Sequence, residues 1–155
     1  MIRLVPMTEG EFVNYLEKAI PAYAADKAGA GDWSKEEALE RSRQSYQELL
    51  PQGVATENNY LFRVQLEESG EKIGMLWMKY EAPRPHGFIL DISLDEAQRG
   101  KGYGKQTMLA LEEVARELGL KTIGLHVFAN NVAAMKLYKG IGYEVTSQNM
   151  TKKLI

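Results

Sequence analysis

Apolar positions in the first third of the chain recur every three to four residues, which is the period of an amphipathic helix. The first such run follows Thr8 and Glu11, whose spacing predicts a capping box at a helix N-terminus. A second run follows Ser34 and Glu37, a second predicted capping box. Pro21 is expected to kink or interrupt the first helix because it lacks a backbone N–H. Two helices are therefore predicted before the chain changes its pattern.

The pattern then changes to the alternation that is typical of β-strands. Residues 62–66 alternate between apolar and polar side chains, residues 73–80 are apolar on both faces, and residues 88–94 form a third apolar run. The connections between these runs are too short for crossovers, so they predict an antiparallel meander with the second strand at its centre.

A helix with one apolar face follows, and Gly119 lies at its expected end. Residues 122–128 predict a strand that is reached through this helix and therefore runs parallel to the strand at 88–94. Asn130 or Asn131 is expected to cap a short helix, and the apolar positions of 143–154 suggest a last strand or hairpin arm. The order αα-βββ-α-β-α-β predicts an α+β fold, an α/β sandwich with a mixed, mostly antiparallel sheet and helices on both faces.

Composition narrows the function classes. The 155 residues are 45% hydrophobic and 26% charged with a net charge of −2, which favours one globular domain over residues 1–155 and argues against a nucleic-acid partner. No apolar run has the length of a membrane span and no secretory signal is apparent, so we expect a cytoplasmic protein without a membrane partner. With no cysteine and two histidines, neither a thiol nucleophile nor a metal site is expected.

A glycine-rich turn lies between the third predicted strand and the next helix. It consists of Arg99, Gly100, Lys101, Gly102, Tyr103, Gly104 and Lys105. Glycines permit positive φ and close approach, so that several backbone N–H groups can converge on an anion at the helix N-terminus. The basic side chains add positive charge, and together these features predict a diphosphate-binding site. The spacing is not that of a P-loop and fits a dinucleotide-binding turn poorly.

Two motifs give the chain a family resemblance. Arg99-x-x-Gly102-x-Gly104, between a strand and a helix, resembles the acyl-CoA-binding motif of the GNAT superfamily of N-acetyltransferases. A second stretch resembles the family pattern Asn-x-x-Ala-x-x-Leu-Tyr followed by Gly-Phe, and it consists of Asn131, Ala134, Leu137, Tyr138, Gly142 and Tyr143. The predicted element order also matches the GNAT fold. The resemblance implies an acyltransferase that moves an acetyl group from acetyl-CoA to a primary amine by direct attack of the amine on the thioester.

The resemblance also assigns the acetyl-CoA contacts. In the family, backbone N–H groups of the glycine-rich turn hold the pyrophosphate, a role that falls here on Arg99–Gly104, with the charge of Lys105 beside them. The preceding strand of the family splays from its parallel neighbour and pairs with the pantetheine arm, which corresponds here to the backbone of Ile92, Ser93 and Leu94. No metal takes part.

The resemblance implies roles for further side chains. Asn131 matches a residue that contacts the cofactor arm, and it can cap the helix as well. Tyr138 matches the tyrosine near the thioester sulfur, the general acid for the leaving thiolate, although core packing would also explain it and Tyr143 is a second phenol. The base stays open between His126, Asp91 and a water chain, and a purely structural His126 is equally compatible with the sequence.

The acceptor is a primary amine on a small molecule, a peptide N-terminus or a lysine side chain. Its site is expected near Trp33, Trp77 and the loop Pro83–His86. Members of the family are often dimers, so a homodimer is one expected state. A non-catalytic acyl-CoA-binding sensor is the alternative function.

Overall fold

The computed structural model describes residues 1–155, and five strands of the chain form one sheet. The strands are β1 (Ile2–Pro6), β2 (Asn59–Leu66), β3 (Lys72–Tyr80), β4 (His86–Leu94) and β5 (Thr122–Leu125). They are ordered β1-β2-β3-β4-β5, and every neighbouring pair is antiparallel except β4 and β5, which are parallel. The predicted α+β fold with a mixed, mostly antiparallel sheet is confirmed.

Four α-helices cover the two faces of this sheet. They are α1 (Glu9–Gly29), α2 (Ala38–Leu49), α3 (Tyr103–Glu117) and α4 (Val132–Gly140). Side chains of α1 and α2 pack on the face that carries Leu61, Met75 and Trp77, while α3 packs on the face that carries Leu76 and Met78. None of the helices combines the length and the hydrophobicity that crossing a membrane requires.

The two predicted capping boxes have different outcomes. At α1 the Thr8 hydroxyl accepts the Glu11 N–H at 3.1 Å and the Glu11 carboxylate accepts the Thr8 N–H at 3.0 Å, so this capping box is confirmed. The box predicted at Ser34 and Glu37 is wrong, because α2 begins only at Ala38 and Glu37 makes no side-chain cap bond. Residues 35–37 form a turn instead, and the Ser34 carbonyl accepts the Ala38 N–H.

The expected interruption of the first helix is also wrong, since α1 continues through Pro21. A proline inside a helix removes one hydrogen bond, so a helix that continues through it needs support from its neighbours. The buried Ser42 hydroxyl of α2 donates to the Ile20 carbonyl at 2.8 Å and joins the two helices next to the proline.

The two ends of the chain depart from the predicted element order. Residues 2–6 form the edge strand β1, which the sequence pattern did not indicate because the run is short and ends in Pro6, a residue that an edge strand tolerates. The expected last strand within 143–154 is not formed, and residues 144–155 are exposed and have no regular secondary structure. A polar run, Thr146–Asn149, separates the apolar positions there, so no continuous apolar face is available to bury.

Candidate active site

Strands β4 and β5 separate halfway along β4. They pair only from His86 opposite Thr122 to Ile89 opposite Leu125, where β5 ends, three residues short of the predicted 122–128. β4 continues to Leu94 and stays paired with β3 on its other side. The backbone edge of residues 90–94 that faces away from β3 therefore has no strand partner. Ile92, Ser93 and Leu94 lie on this open edge, and their contact with a cosubstrate stays a prediction.

A β-bulge lies at the point where the two strands separate. Trp77 of β3 pairs with Asp91 and the adjacent Met78 pairs with Ile89, so Leu90 is an extra residue on β4. Bulges bend a strand and redirect its side chains, and they are frequent beside active sites. The bulge places Leu90 and Asp91 next to each other at the walls of two cavities.

The first cavity, which we call the strand cleft, has a volume of about 220 Å³ and lies where β4 and β5 diverge. Its lining residues are Ile89, Leu90, Asp91, Ile92, Leu125, His126, Val127, Phe128, Asn131, Ala134 and Tyr138. The cleft thus brings together four residues that the sequence predicted to be functional, namely Ile92, His126, Asn131 and Tyr138. Asp91, the rival candidate base, lines the same cleft.

Tyr138 is half-buried beneath the strand cleft. Its ring lies 5.8 Å from the ring of Tyr143, and burial raises the pKa of Tyr138 above the ordinary value. A phenol with a raised pKa carries its proton at neutral pH and can donate it. Tyr143, the second phenol of the motif, does not line the cleft; burial and the nearby charge of Glu112 raise its pKa to about 12.

His126 and Asn131 stand on the opposite side of the strand cleft from β4. The His126 ring is exposed, makes no hydrogen bond and meets the Phe128 ring edge-on at 5.0 Å. Asn131 begins α4 by accepting the Ala134 N–H on its side-chain oxygen at 3.2 Å, so the expected N-cap is confirmed at Asn131. Its contact with the cofactor arm stays a prediction.

The glycine-rich turn leads into α3 with free backbone donors. None of the N–H groups from Gly100 to Lys105 donates a hydrogen bond within the chain, and α3 has no side-chain N-cap bond. Gly102 adopts φ +82°, and a Cβ placed on it would meet no protein atom within 4 Å, which leaves the space beside the donors open. Free N–H groups at the start of a 15-residue helix are a natural anion site.

Charged side chains of the turn lie on the protein surface. The Arg99 Nε donates to the Leu94 carbonyl at 3.2 Å, which joins the turn to the end of β4. The Lys101 Nζ lies 3.4 Å from the Gln98 side-chain oxygen, and Lys105 makes no ion pair. A 3-10 turn, Glu96–Gln98, separates the glycine-rich turn from β4, and the Arg99 bond holds the turn beside the end of the open edge.

The second cavity lies on the other face of the sheet, between α1, α2 and strands β3 and β4. This cavity, which we call the helix cavity, has a volume of about 330 Å³. Its lining residues are Ala19, Ala22, Tyr23, Asp26, Ser45, Tyr46, Leu49, Trp77, Leu90 and Asp91. Leu90 and Asp91 line both cavities, so the bulge is the wall that the two share.

Asp91 has an unusual set of neighbours for a carboxylate. The Tyr15 hydroxyl of α1 donates to the Asp91 Oδ2 at 2.5 Å, and burial together with this negative charge raises the pKa of Tyr15. Burial and the Asp91 charge also raise the pKa of Tyr46 to about 12. No lysine or arginine forms an ion pair with Asp91. The carboxylate is held by a neutral donor and has no cationic partner within the chain.

The residues expected to border the acceptor site are not all together. Trp77 lines the helix cavity, whereas Trp33 lies behind Tyr23, with the two rings 5.5 Å apart, and lines neither cavity. The loop Pro83–His86 precedes the start of β4 and lines neither cavity; its His86 Nδ1 lies 2.6 Å from the Thr122 hydroxyl.

Sequence reasoning missed the polar part of the helix cavity. Tyr15, Tyr23 and Asp26 share one face of α1. The signal in the sequence was an acidic residue that follows two aromatic residues on the same helix face. The first half of that face, around Phe12 and Tyr15, packs against the buried cluster under α1 and α2, so its pattern does not differ from that of an ordinary core face.

Comparisons with known proteins agree with this geometry. Residues 27–143 match the model of the Acetyltransferase (GNAT) family. The chain is 41% identical to YycN, an uncharacterized N-acetyltransferase of Bacillus subtilis, over 99% of both chains. The crystal structure of YycN, a putative acetyltransferase, superposes with a TM-score of 0.88 and covers 100% of this chain and 99% of that one. A second uncharacterized N-acetyltransferase of Bacillus subtilis, YdgE, is 37% identical over 97% of both chains.

A more distant structure shares the fold alone. AAC(6')-Iy in complex with a bisubstrate analogue that contains CoA superposes with a TM-score of 0.59 at 13% identity, covering 99% of this chain and 97% of that one. The GNAT fold is one that binds acetyl-CoA. With the family match covering most of its length, the chain belongs to the GNAT acetyltransferase family and is an acyltransferase.

Proposed function

We propose that this enzyme transfers an acetyl group from acetyl-CoA to the nitrogen of a primary amine. The observation that carries the proposal is the run of free backbone N–H groups from Gly100 to Lys105, which Arg99 holds beside the end of the open edge of β4. A diphosphate fits the first feature and the two amides of a pantetheine arm fit the second. The strand cleft, with Tyr138 and His126, lies where such an arm would end.

Each part of acetyl-CoA has a matching part of the chain. The N–H groups of the glycine-rich turn bind the pyrophosphate, and Arg99, Lys101 and Lys105 add attraction at the surface. The backbone of Ile92–Leu94 pairs with the pantetheine arm as an added strand would, with the Asn131 side chain on the far wall. This arrangement holds the thioester beside Asp91, His126 and Tyr138, so proximity supplies much of the rate.

The reaction is a direct acyl transfer. The amine nitrogen attacks the thioester carbonyl carbon, the C–N bond forms and the C–S bond breaks. Before this attack the bound ammonium gives up one proton to solvent, so that its nitrogen has a free lone pair. During the attack a second nitrogen proton passes to His126, and the Tyr138 hydroxyl donates its proton to the departing sulfur. A proton then moves from the His126 imidazolium to the Tyr138 phenolate, which restores both groups. The products are the N-acetyl amine and free CoA thiol.

We assign His126 as the base and Asp91 as the residue that attracts the ammonium. An imidazole is a stronger base than a carboxylate and accepts a proton from an amine at lower cost. Asp91 already accepts a hydrogen bond from Tyr15, and it lies on the wall that both cavities share. An amine that enters from the helix cavity therefore meets Asp91 before it reaches the strand cleft.

The test is release of free thiol from acetyl-CoA across a panel of primary amines, with CoA binding measured in parallel by calorimetry. We expect CoA binding, and thiol release that depends on an amine. His126→Gln should lower kcat/KM about 100-fold, as loss of a general base does, while His86→Gln, outside both cavities, should not. Tight CoA binding without turnover on any amine would instead identify a sensor, and tight NADH or ATP binding without CoA binding would contradict the assignment of the turn.

A further inference from the structure

We propose that the acceptor is a linear small-molecule amine that carries a second cationic group, an α,ω-diamine, bound in the helix cavity. The inference rests on the proposed function, because it places the reacting nitrogen at Asp91 and the second nitrogen at Asp26. Two carboxylates, aromatic walls and the absence of any basic lining residue distinguish this cavity.

The two carboxylates belong to different elements, Asp26 to α1 and Asp91 to β4. Asp91 is held by the Tyr15 hydroxyl, and Asp26 lies 11 positions after Tyr15 on the same helix. At 3.6 residues per turn, 11 residues make close to three full turns, so the two positions share a face and their backbones are about 16 Å apart along the axis. The α1 part of the cavity wall runs from Ala19 to Asp26, and Asp91 is bound to Tyr15, which precedes Ala19 on the same helix face. This arrangement suits a ligand with two cationic groups.

Between the carboxylates the walls suit an alkyl chain. Tyr46 lies at the centre of an aromatic group, with its ring 6.4 Å from Tyr15, 6.0 Å from Tyr23 and 6.1 Å from Trp77. Aromatic surfaces bury methylene groups and attract ammonium groups to their faces. The small side chains of Ala19 and Ala22 complete the wall on the α1 side and leave room for a slender ligand.

Asp26 is available to such a ligand. It makes neither a side-chain hydrogen bond nor an ion pair, whereas the neighbouring Asp32 pairs with Lys27 at 3.6 Å. Lys27 lies over the rings of Tyr23 and Trp33, and Arg41 lies over the Trp33 ring. Neither cation forms an ion pair with Asp26. Asp26 is exposed at the cavity mouth, so its attraction is screened by water but is open to an incoming cation.

The same charges discriminate between amines. An amine that carries a carboxylate, such as a free amino acid, would bring a like charge towards Asp26 or Asp91 and would be repelled. An n-alkylamine of equal length fits the aromatic walls but gains nothing from Asp26. Preference for the diamine over this monoamine is therefore the measurable signature of the second carboxylate.

The experiment compares KM for a series of α,ω-diaminoalkanes with KM for the n-alkylamines of the same carbon number, at saturating acetyl-CoA. We expect the best diamine to have a KM about fivefold lower than its monoamine, the size of one solvent-exposed ion pair. Asp26→Asn should remove this difference, because the diamine KM rises to that of the monoamine. Asp32→Asn is the matched control, because Asp32 lies outside the cavity, and it should preserve the preference.

A binding measurement separates failure of this inference from failure of the proposed function. Diaminohexane should quench the tryptophan fluorescence of the CoA-bound protein, with Trp77 as the reporter in the cavity wall, and Asp26→Asn should weaken the effect. Turnover of monoamines and diamines with equal KM, or turnover only of a lysine-containing peptide, would overturn the inference and leave the proposed function standing. Diamine binding without turnover of any amine would overturn the proposed function, while the assignment of the helix cavity as a diamine-binding site would stand.

Discussion

Among single residues, Tyr138 combines the two properties that a donor to a leaving thiolate needs. It lines the strand cleft, and burial raises its pKa, so the hydroxyl is protonated at neutral pH. Tyr143 has a raised pKa as well, but it lies outside the cleft and packs against the main core. Position, rather than acidity, therefore distinguishes the two phenols.

Tyr138→Phe should lower kcat about 100-fold while the affinity for CoA stays unchanged, because the substitution removes the proton donor and keeps the ring. Steady-state thiol release gives kcat, and calorimetry gives the affinity. Tyr143→Phe is the matched control, and it should leave kcat close to the wild-type value. Wild-type turnover in Tyr138→Phe would contradict the role of Tyr138 as proton donor and would leave it a role in packing alone.

The residue contacts that the sequence could predict are the local ones. Asn131 caps its own helix three positions before Ala134, and the donors of the glycine-rich turn are consecutive, so spacing alone indicates them. The bond between Tyr15 and Asp91 joins residues 76 positions apart. Nothing in either local pattern indicates this contact, because it depends on how α1 packs over β4. The polar part of the helix cavity could not be predicted from the sequence for that reason.

Among secondary-structure elements, β4 organises the site through two irregularities. The bulge at Leu90 places Asp91 between the cavities, and the early end of β5 exposes the edge of residues 90–94. The meander and the parallel pairing with β5 were predicted from periodicity and connection length. The bulge was not, because an extra residue in an apolar run, here Ile89-Leu90, leaves no mark on the pattern of hydrophobic residues.

The glycine-rich turn before α3 is expected to bind CoA through its backbone N–H groups, so a substitution that blocks access to them tests its role. Gly102→Val should lower the affinity for CoA tenfold or more, because the branched side chain enters the space beside the free donors. Loss of one charge-assisted hydrogen bond alone accounts for about a factor of ten in affinity. Calorimetric titration with CoA measures the change.

The matched control for this variant is Gly31→Val. Gly31 has φ +80°, close to the +82° of Gly102, and a Cβ on either residue would meet no protein atom within 4 Å. Both variants therefore carry the same backbone strain, about 1–2 kcal/mol for an L-residue in the left-handed region. Equal losses of thermal stability with a loss of CoA affinity in Gly102→Val alone would support the turn as the pyrophosphate site. Unchanged affinity in Gly102→Val would contradict it.

In the molecule as a whole, the sheet separates two layers that contribute different halves of the site. α1 and α2 enclose the helix cavity on one face, while the start of α3 and the face of α4 border the region of acetyl-CoA binding that we propose on the other side of β4. An amine and a thioester held in the two cavities would meet at the shared wall of Leu90 and Asp91. Our proposal therefore gives the amine and acetyl-CoA separate entrances.

The C-terminal segment is the part of the molecule where the sequence pattern and the structure differ most. Val145, Met150 and Leu154 alternate with polar residues loosely enough to suggest a strand, yet they are 49%, 92% and 86% exposed. Residues 144–155 form no hydrogen bond with the rest of the chain. A strand forms only where a partner edge and a buried face are both available, and neither condition can be inferred from the pattern of one segment.

Limited proteolysis tests whether residues 144–155 are exposed and unstructured in solution. Trypsin should cleave after Lys152 and Lys153 well before it cleaves after Lys136 or Lys139, because the latter two lie in α4, where local unfolding must precede cleavage. Mass spectrometry over a time course gives the order of the cuts. The exposed tail contributes no hydrogen bonds to the core, so a chain that ends at Tyr143 should keep the thermal midpoint of the full-length protein. Protection of Lys152 and Lys153 to the same degree as the α4 lysines would contradict the prediction. It would show that the tail pairs with the free edge of β5, in its own chain or in a second copy.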